Sequence, residues 1–230
     1  MSIQKFMGVD VGRTHDSSSI VVVGVEDSPQ EEPRLVVGYY EVWKGNLHQA
    51  AGHVHSVWAA EPLSGQAELL IDCRGMGQGI ADILENIGVP FTGIMTTAGE
   101  RENTYRSERG TPYFTVPKKN LVNAALVPYQ QGRLRFLPGP NAERLKEELA
   151  SFVPSQNQRT GHVRYEASAG EHDDIVFALL LCCWGARRLG SNLGVDETLS
   201  WAVAPYHGRS LAHDREDIVR DLPIDRGEFF

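Results

Sequence analysis

Four aspartates of this 230-residue chain stand where side chains can do chemistry: Asp10 in GVDVG, Asp72 in LLIDCRG, and the adjacent Asp173 and Asp174 of GEHDDIVFALLLCCW. The pair directly precedes an apolar run, Ile175 to Trp184. An ionised carboxylate at the mouth of a core element costs several kcal/mol unless a cation, a set of hydrogen bonds or water compensates it. If the pair opens a helix, the positive end of the helix dipole stabilises the charge by only about 0.3–1 kcal/mol. Acids from two strand ends and a helix start, brought close, repel and raise one another's pKa unless divalent cations bridge them. An all-oxygen donor set selects Mg²⁺ or Mn²⁺ over zinc. Each acid alone also has a plainer reading: Asp72, before RGMG, as a turn former, and one of Asp173 and Asp174 as a helix N-cap. Jointly, that reading needs three independent acids to fall at the site-forming ends of three core elements.

The elements that must position these acids follow from hydrophobic periodicity. In KFMGVDVG, alternation puts Phe6, Gly8, Asp10 and Gly12 on one strand face and Lys5, Met7, Val9 and Val11 on the other. Glycines on both sides of Asp10 weaken a strand, a cost accepted where a ligand or another backbone approaches closely. ELLIDCRG ends in Asp72 after three apolar residues, and the carboxyl ends of buried strands are where open α/β sheets carry ligand chemistry. KFMGVDVG, SIVVVGVED and RLVVGYYEVWKG predict an antiparallel meander. A helix (LHQAAGHVHSVWAAEP), a strand (AELLIDCRG), a helix closed by Gly88 (GMGQGIADILENIG) and a strand (VPFTGIMTTAG) follow.

The next segment reads as a loop leading into a helix, VPKKNLVNAALVPYQQG, that starts after Pro117, and then a short strand, RLRFLPG. NAERLKEELASF is a helix with Asn141 as its cap and i,i+4 charge pairs. HVRYEAS reads as an edge strand or hairpin arm, and the helix behind the Asp pair comes last. Three strands followed by alternating helix and strand indicate an α/β protein with a mixed sheet. Residues 195–230 lose this patterning and are expected to form a loosely packed or extended tail.

A chain of this length buries a substantial core in one domain. Its longest apolar run is far short of the roughly 20 residues that span a bilayer, and the N-terminus lacks a signal-peptide layout, so a soluble intracellular protein is expected. Cys73, Cys182 and Cys183 include no C-x-x-C and read as core residues rather than disulfides or a zinc site. The net charge of −8 is unevenly spread. In residues 195–230 eight acids outweigh four arginines, whereas in residues 101–135 seven basic residues face only Glu102 and Glu108. One segment can therefore meet phosphates although the whole chain is acidic.

GVDVGRTHDSS, LLIDCRGMGQGIADIL, TVPKKNLV and GEHDDIVFALLL, in this order over residues 5–190, resemble the nuclease domain of the large terminase subunit of tailed bacteriophages, within the ribonuclease H-like superfamily. The resemblance implies a nuclease domain over residues 1–194, with a ribonuclease H-like mixed central β-sheet flanked by helices. It implies an endonuclease that cuts double-stranded concatemeric viral DNA during packaging. Asp10 would bridge two metals, Asp72 would be the fourth-strand ligand, and Asp173 or Asp174, with Asp174 favoured as the catalytic one, or both would serve from the last helix. Asp16, in RTHDSS, is either an accessory acid or a turn former; His15 reads as a surface histidine.

The implied mechanism is in-line hydrolysis with two Mg²⁺ or Mn²⁺ ions about 3.5–4 Å apart, one lowering the pKa of the attacking water and the other stabilising the leaving 3′ oxygen. No protein nucleophile is required. Lys118 and Lys119, with Arg101, Arg106 and Arg109, are the candidates for DNA phosphate contacts, and a solvated charged face is their alternative reading. Nothing resembles a base-reading helix, so cutting should be nearly indifferent to sequence and strongly salt-dependent. The chain has no G-x-x-x-x-G-K-[ST] loop, which places the ATPase domain of such proteins outside it. By the same resemblance the partners are that ATPase domain, the small terminase subunit and the portal, the isolated domain is a monomer with no membrane association, and its location is the cytoplasm of the infected host cell.

Three competing readings remain. GVDVGRT also resembles the first phosphate-binding turn of the actin and sugar-kinase group, but the chain is too short for two lobes and lacks a second glycine-rich phosphate loop. A Holliday-junction resolvase would use the same carboxylates as a dimer. A noncatalytic docking module of the packaging motor would bind no metal.

Overall fold

The computed structural model describes residues 3–12, 16–26, 32–139, 142–151, 154–156, 163–165 and 174–190. The expected meander forms from β1 (Lys5–Asp10), β2 (Ser18–Glu26) and β3 (Arg34–Trp43), each antiparallel to the one before. The chain then crosses through α1 (Leu47–Ala59) to β4 (Glu68–Asp72), which lies parallel to β1 on its other side. Asn46 starts α1 with a capping box: its side chain accepts from the Gln49 N–H, and the Gln49 side chain accepts from the Asn46 N–H. From β4, α2 (Met76–Asn86) leads to β5 (Thr92–Thr97), parallel to β4. Gly88, with a φ of 76°, turns the chain out of α2 as its position predicts.

The segment after β5 departs from the expected loop. It folds as a hairpin of β6 (Asn103–Arg106) and β7 (Pro112–Pro117). All four residues of β6 are exposed, so no apolar alternation announces the strand. What holds it is tertiary: Tyr105 stacks on Tyr113, with centroids 5.2 Å apart, and the preceding Glu102 accepts from Asn120 Nδ2 at 2.8 Å and Trp184 Nε1 at 3.2 Å. β7 runs parallel to β5 and passes directly into α3 (Lys118–Gln130), so the helix does start after Pro117.

β8 (Leu134–Phe136) pairs with β3 in parallel. After α4 (Ala142–Ser151), β9 (Pro154–Gln156) and β10 (Val163–Tyr165) form a separate antiparallel pair, which makes the HVRYEAS region a hairpin arm. α5 (Asp174–Leu189) completes the described fold. His15, Asn141, Asp173 and the tail expected over 195–230 lie outside the described residues.

The eight-stranded mixed sheet has the order β6-β7-β5-β4-β1-β2-β3-β8, in keeping with the α/β class read from the sequence. Strand alternation divides its core in two. Met7, Val9, Leu69 and Ile71 pack with α1 and α2 on one face, while Phe6, Leu70 and Ile94 pack with α3, α4 and α5 on the other. α5 is the central helix of the second face and runs antiparallel to β1. A Cβ on Gly8 would collide with the Ala178 carbonyl oxygen and lie 2.9 Å from Cys182 Sγ, whereas a Cβ on Gly190 would lie 3.5 Å from Gln4 Oε1. The absence of a side chain at Gly8 thus serves the close approach of another backbone. Cys182 Sγ donates to the carbonyls of Phe6 (3.3 Å) and Val21 (3.2 Å), pinning the helix to both strands. No helix among the described residues is long and apolar enough to cross a membrane.

Candidate functional site

Two acids meet through strand register. β1 and β4 are parallel neighbours with Val9 opposite Ile71, and one step further both strands end, in Asp10 and Asp72. Because Val9 and Ile71 point to the α1/α2 face, the next residue of each strand points to the face covered by α5. With Ala178 against Gly8 and the helix antiparallel to β1, the first turn of α5, beginning at Asp174, extends over this same end of the sheet. Asp10, Asp72 and the start of α5 are therefore brought together. Asp16 is exposed in the connection between β1 and β2.

Asp72 is the most constrained of the acids. Its side chain is 6% exposed, and burial pushes its carboxyl above the ordinary value, against the opposing pull of Arg74 hydrogen bonds and of the Arg74 and Lys118 charges. Arg74 approaches side-on: Nε lies 3.3 Å from Oδ1 and 3.4 Å from Oδ2, and Nη2 lies 3.2 Å from Oδ2. The Arg74 backbone N–H also donates to Oδ1, at 3.3 Å. The turn carrying Arg74 is tight: the Gly77 N–H donates to the Arg74 carbonyl at 3.2 Å, and a Cβ on Gly77 would collide with the Asp72 carbonyl oxygen. This same close return of the chain puts Arg74 beside the strand end.

A third component comes from α5. The Phe177 ring has the Arg74 guanidinium carbon 5.5 Å from its centroid and Lys118 Nζ at 5.9 Å, so one aromatic ring steadies two cations beside Asp72. Cys73, next in the chain, is no nucleophile: burial first, and the Asp72 charge second, push its thiol up to about 12.

The start of α5 is held from α4. Glu148 is buried, and its carboxylate accepts from the backbone N–H groups of Ile175 and Val176 while Arg144 Nε pairs with it at 2.6 Å. Burial nevertheless raises its pKa more than these partners lower it. A carboxylate from another helix therefore satisfies first-turn amides that an N-cap side chain would otherwise serve.

The basic candidates separate. Lys118 stands at the Asp72 end of the sheet, Lys119 is ion-paired with Glu100, and Arg101 is exposed beside β6. Arg106 Nη1 donates to the Gly110 carbonyl at 2.6 Å and Arg109 Nη1 to Asn86 Oδ1 at 2.5 Å; both sit at the far end of the hairpin from Lys118. Sequence reasoning missed Arg74, Phe177 and Glu148. The signal for Glu148 was present, since it shares a helix face with Leu145 and lies next to Leu149, both fully buried.

The donor chemistry suits a divalent cation. Asp10 and Asp72 offer only oxygen. Asp72 is a buried carboxylate whose neighbouring cations do not offset its desolvation. Among the described residues no group of three or more His, Cys, Asp or Glu side chains that could hold a metal ion is formed.

No family model and no curated protein matches the chain. Solved structures do. The large terminase nuclease from thermophilic phage G20c with bound magnesium is similar at 21% identity and a TM-score of 0.56, over 79% of this chain and 81% of that one. The same nuclease in a second structure matches at 19% identity with the same TM-score and coverage. The large terminase nuclease domain of Thermus phage P74-26 matches at 18% identity and a TM-score of 0.56, over 85% and 84% of the two chains. The chain thus shares the fold of large terminase nuclease domains, the fold its motifs led us to expect.

Proposed function

We propose that the chain is a divalent-cation-dependent endonuclease domain that hydrolyses phosphodiester bonds of double-stranded DNA, with little sequence preference, in viral genome packaging. The observation that carries this reading is the meeting of Asp10 and Asp72 at the ends of adjacent parallel strands, under the first turn of α5. The magnesium in a nuclease of the same fold supports the choice of Mg²⁺, or the similar Mn²⁺, as cofactor.

Asp10, Asp72 and Asp174 are the ligands of this reading, with Asp173 beside Asp174 and Asp16 as an accessory acid. When bound, two such cations would supply Lewis acidity at the scissile phosphate and lower the pKa of the attacking water. The residues of the chain do the rest. Gly8 lets α5 approach closely enough to add its acid to those of the strands. Phe177 holds Arg74 and Lys118 against its ring, and Lys118 sets a positive charge where a phosphate of the DNA backbone would lie. Lys119 and Arg101 at the Lys118 end of the hairpin, and Arg106 and Arg109 at its far end, are the candidates for phosphates further along the duplex.

In the intact protein the partners of this reading are an ATPase domain, the small terminase subunit and the portal, and the setting is the infected cell. The test is cleavage of supercoiled plasmid by the chain with Mg²⁺, Mn²⁺ or EDTA. Nicking and linearisation that require the metal and vanish in Asp10→Ala and Asp72→Asn are expected. A folded wild-type protein inert with both metals would leave a noncatalytic docking module as the better reading.

A further inference from the structure

Arg74 is the residue of this site whose role the reading above leaves open. Its contacts with Asp72 span 3.2–3.4 Å, longer than the roughly 2.7–2.9 Å of a well-formed charge-assisted pair. Both carboxylate oxygens are engaged, but loosely. The two partners also differ in access: the Arg74 side chain is 50% exposed and that of Asp72 only 6%. The guanidinium thus covers the solvent side of the carboxylate, where an incoming cation must arrive. Its base is fixed by the turn through Gly75, which has a φ of 57°, while its long side chain leans on the face of Phe177 without being enclosed by it.

Charge points the same way. The charges that act on Asp72 are the Arg74 guanidinium and the Lys118 ammonium. A divalent cation bound at Asp72 would stand beside these two cations, and the repulsion among them is relieved if the guanidinium withdraws and an anion enters. A DNA phosphodiester is such an anion, and the forked donors of Arg suit its paired oxygens.

We infer that Arg74 has two successive partners: the Asp72 carboxylate before a divalent cation binds, and a nonbridging oxygen of the DNA phosphodiester afterwards. Arg74 is on this account both a competitor of the cation and a catalytic residue. The inference rests on the proposed nuclease reading and adds to it a residue that none of the sequence motifs singled out.

The test uses the full chain and Mn²⁺ as the probe, with free Mn²⁺ followed by electron paramagnetic resonance in the absence of DNA, and then plasmid cleavage at saturating Mn²⁺. Arg74→Gln is expected to bind Mn²⁺ about twofold to fivefold more tightly than wild type, the scale of a half-exposed ion pair. The same variant should cut about 100-fold more slowly, the scale of one lost donor to the reacting group. Arg74→Lys keeps the charge without the fork and should recover part of the cleavage rate. Unchanged or weaker Mn²⁺ binding by Arg74→Gln, melting at the wild-type temperature, would overturn the competitor role. Cleavage by Arg74→Gln at the wild-type rate would overturn the phosphate role. A wild-type protein that neither binds Mn²⁺ nor cuts would instead overturn the nuclease reading and this inference with it, so the two failures are distinguishable.

Discussion

Glu85 and Asp72 are both carboxylates held by neighbours from a turn, yet their environments push them in opposite directions. Glu85, near the C-terminus of α2, receives the hydroxyls of Ser107 and Thr111 from the β6–β7 turn, and these hold its carboxyl below the ordinary value. Arg109 and Arg106 close the same region with bonds of 2.5 and 2.6 Å. Asp72 has a guanidinium and an ammonium nearby, but its burial outweighs them and its carboxyl is raised. At one end of the sheet the partners outweigh the desolvation of the acid, and at the other the desolvation outweighs the partners. Perturbation by burial beside specific charge partners is a mark of functional sites; it separates Asp72 from Glu85, while Glu148, raised in the same way, is set apart by its bonds to the α5 amides.

The largest expected difference between the two regions is in cleavage. Asp72→Asn should lower metal-dependent plasmid cutting by about 10³-fold or more, whereas Glu85→Gln should leave it within about twofold. Equal losses would erase the distinction. A second break is structural: Gly8→Ala drives a methyl group into the Ala178 carbonyl. Displacement of α5 should cost about 1–3 kcal/mol in denaturant unfolding and also abolish cutting, because in the proposed reading the same helix carries the third ligand. The corresponding change at the Glu85 end, Gly110→Ala, meets no atoms but imposes strain at a φ of 91°, and should cost stability without abolishing cutting.

How far these residues were legible in the sequence follows from the range of their interactions. Asp10 and Asp72 were readable because two-residue alternation and the end of an apolar run assign both a face and a sheet end. Lys118 was placed by Pro117, which starts α3. β6 was not readable, since NTYR buries nothing and depends on contacts made by Glu102 and Tyr113. Arg74 read as part of a turn because its partner is only two residues away, and nothing local distinguishes a turn arginine from one lying over an acid. Glu148 serves amides 27 and 28 residues ahead of it, a relation no local pattern encodes.

Glu148 offers a smaller sharpening. Glu148→Ala removes the carboxylate from two first-turn amides of α5 and should cost about 1–3 kcal/mol, with a loss of metal affinity that Glu148→Gln partly restores. The pH dependence has a definite sign. Because burial raises the folded carboxyl above its ordinary 4.5, the folded state holds more protons than the unfolded chain just above that pH. The contribution of Glu148 to stability is complete below pH 4.5 and falls as pH rises through the raised value. Unfolding of wild type and Glu148→Gln across this window should show the steeper decline in wild type. The smallest effect belongs to the other end, where Glu85→Gln should shift stability by no more than about 1 kcal/mol.

The central claim is that the ends of β1 and β4, with the first turn of α5, hold a divalent cation. It is tested most directly by a crystal of the chain soaked in Mn²⁺ and measured at the manganese absorption edge. The account predicts an anomalous peak in contact with the carboxylates of both Asp10 and Asp72. Occupied manganese sites elsewhere, with none between these two acids, would contradict it.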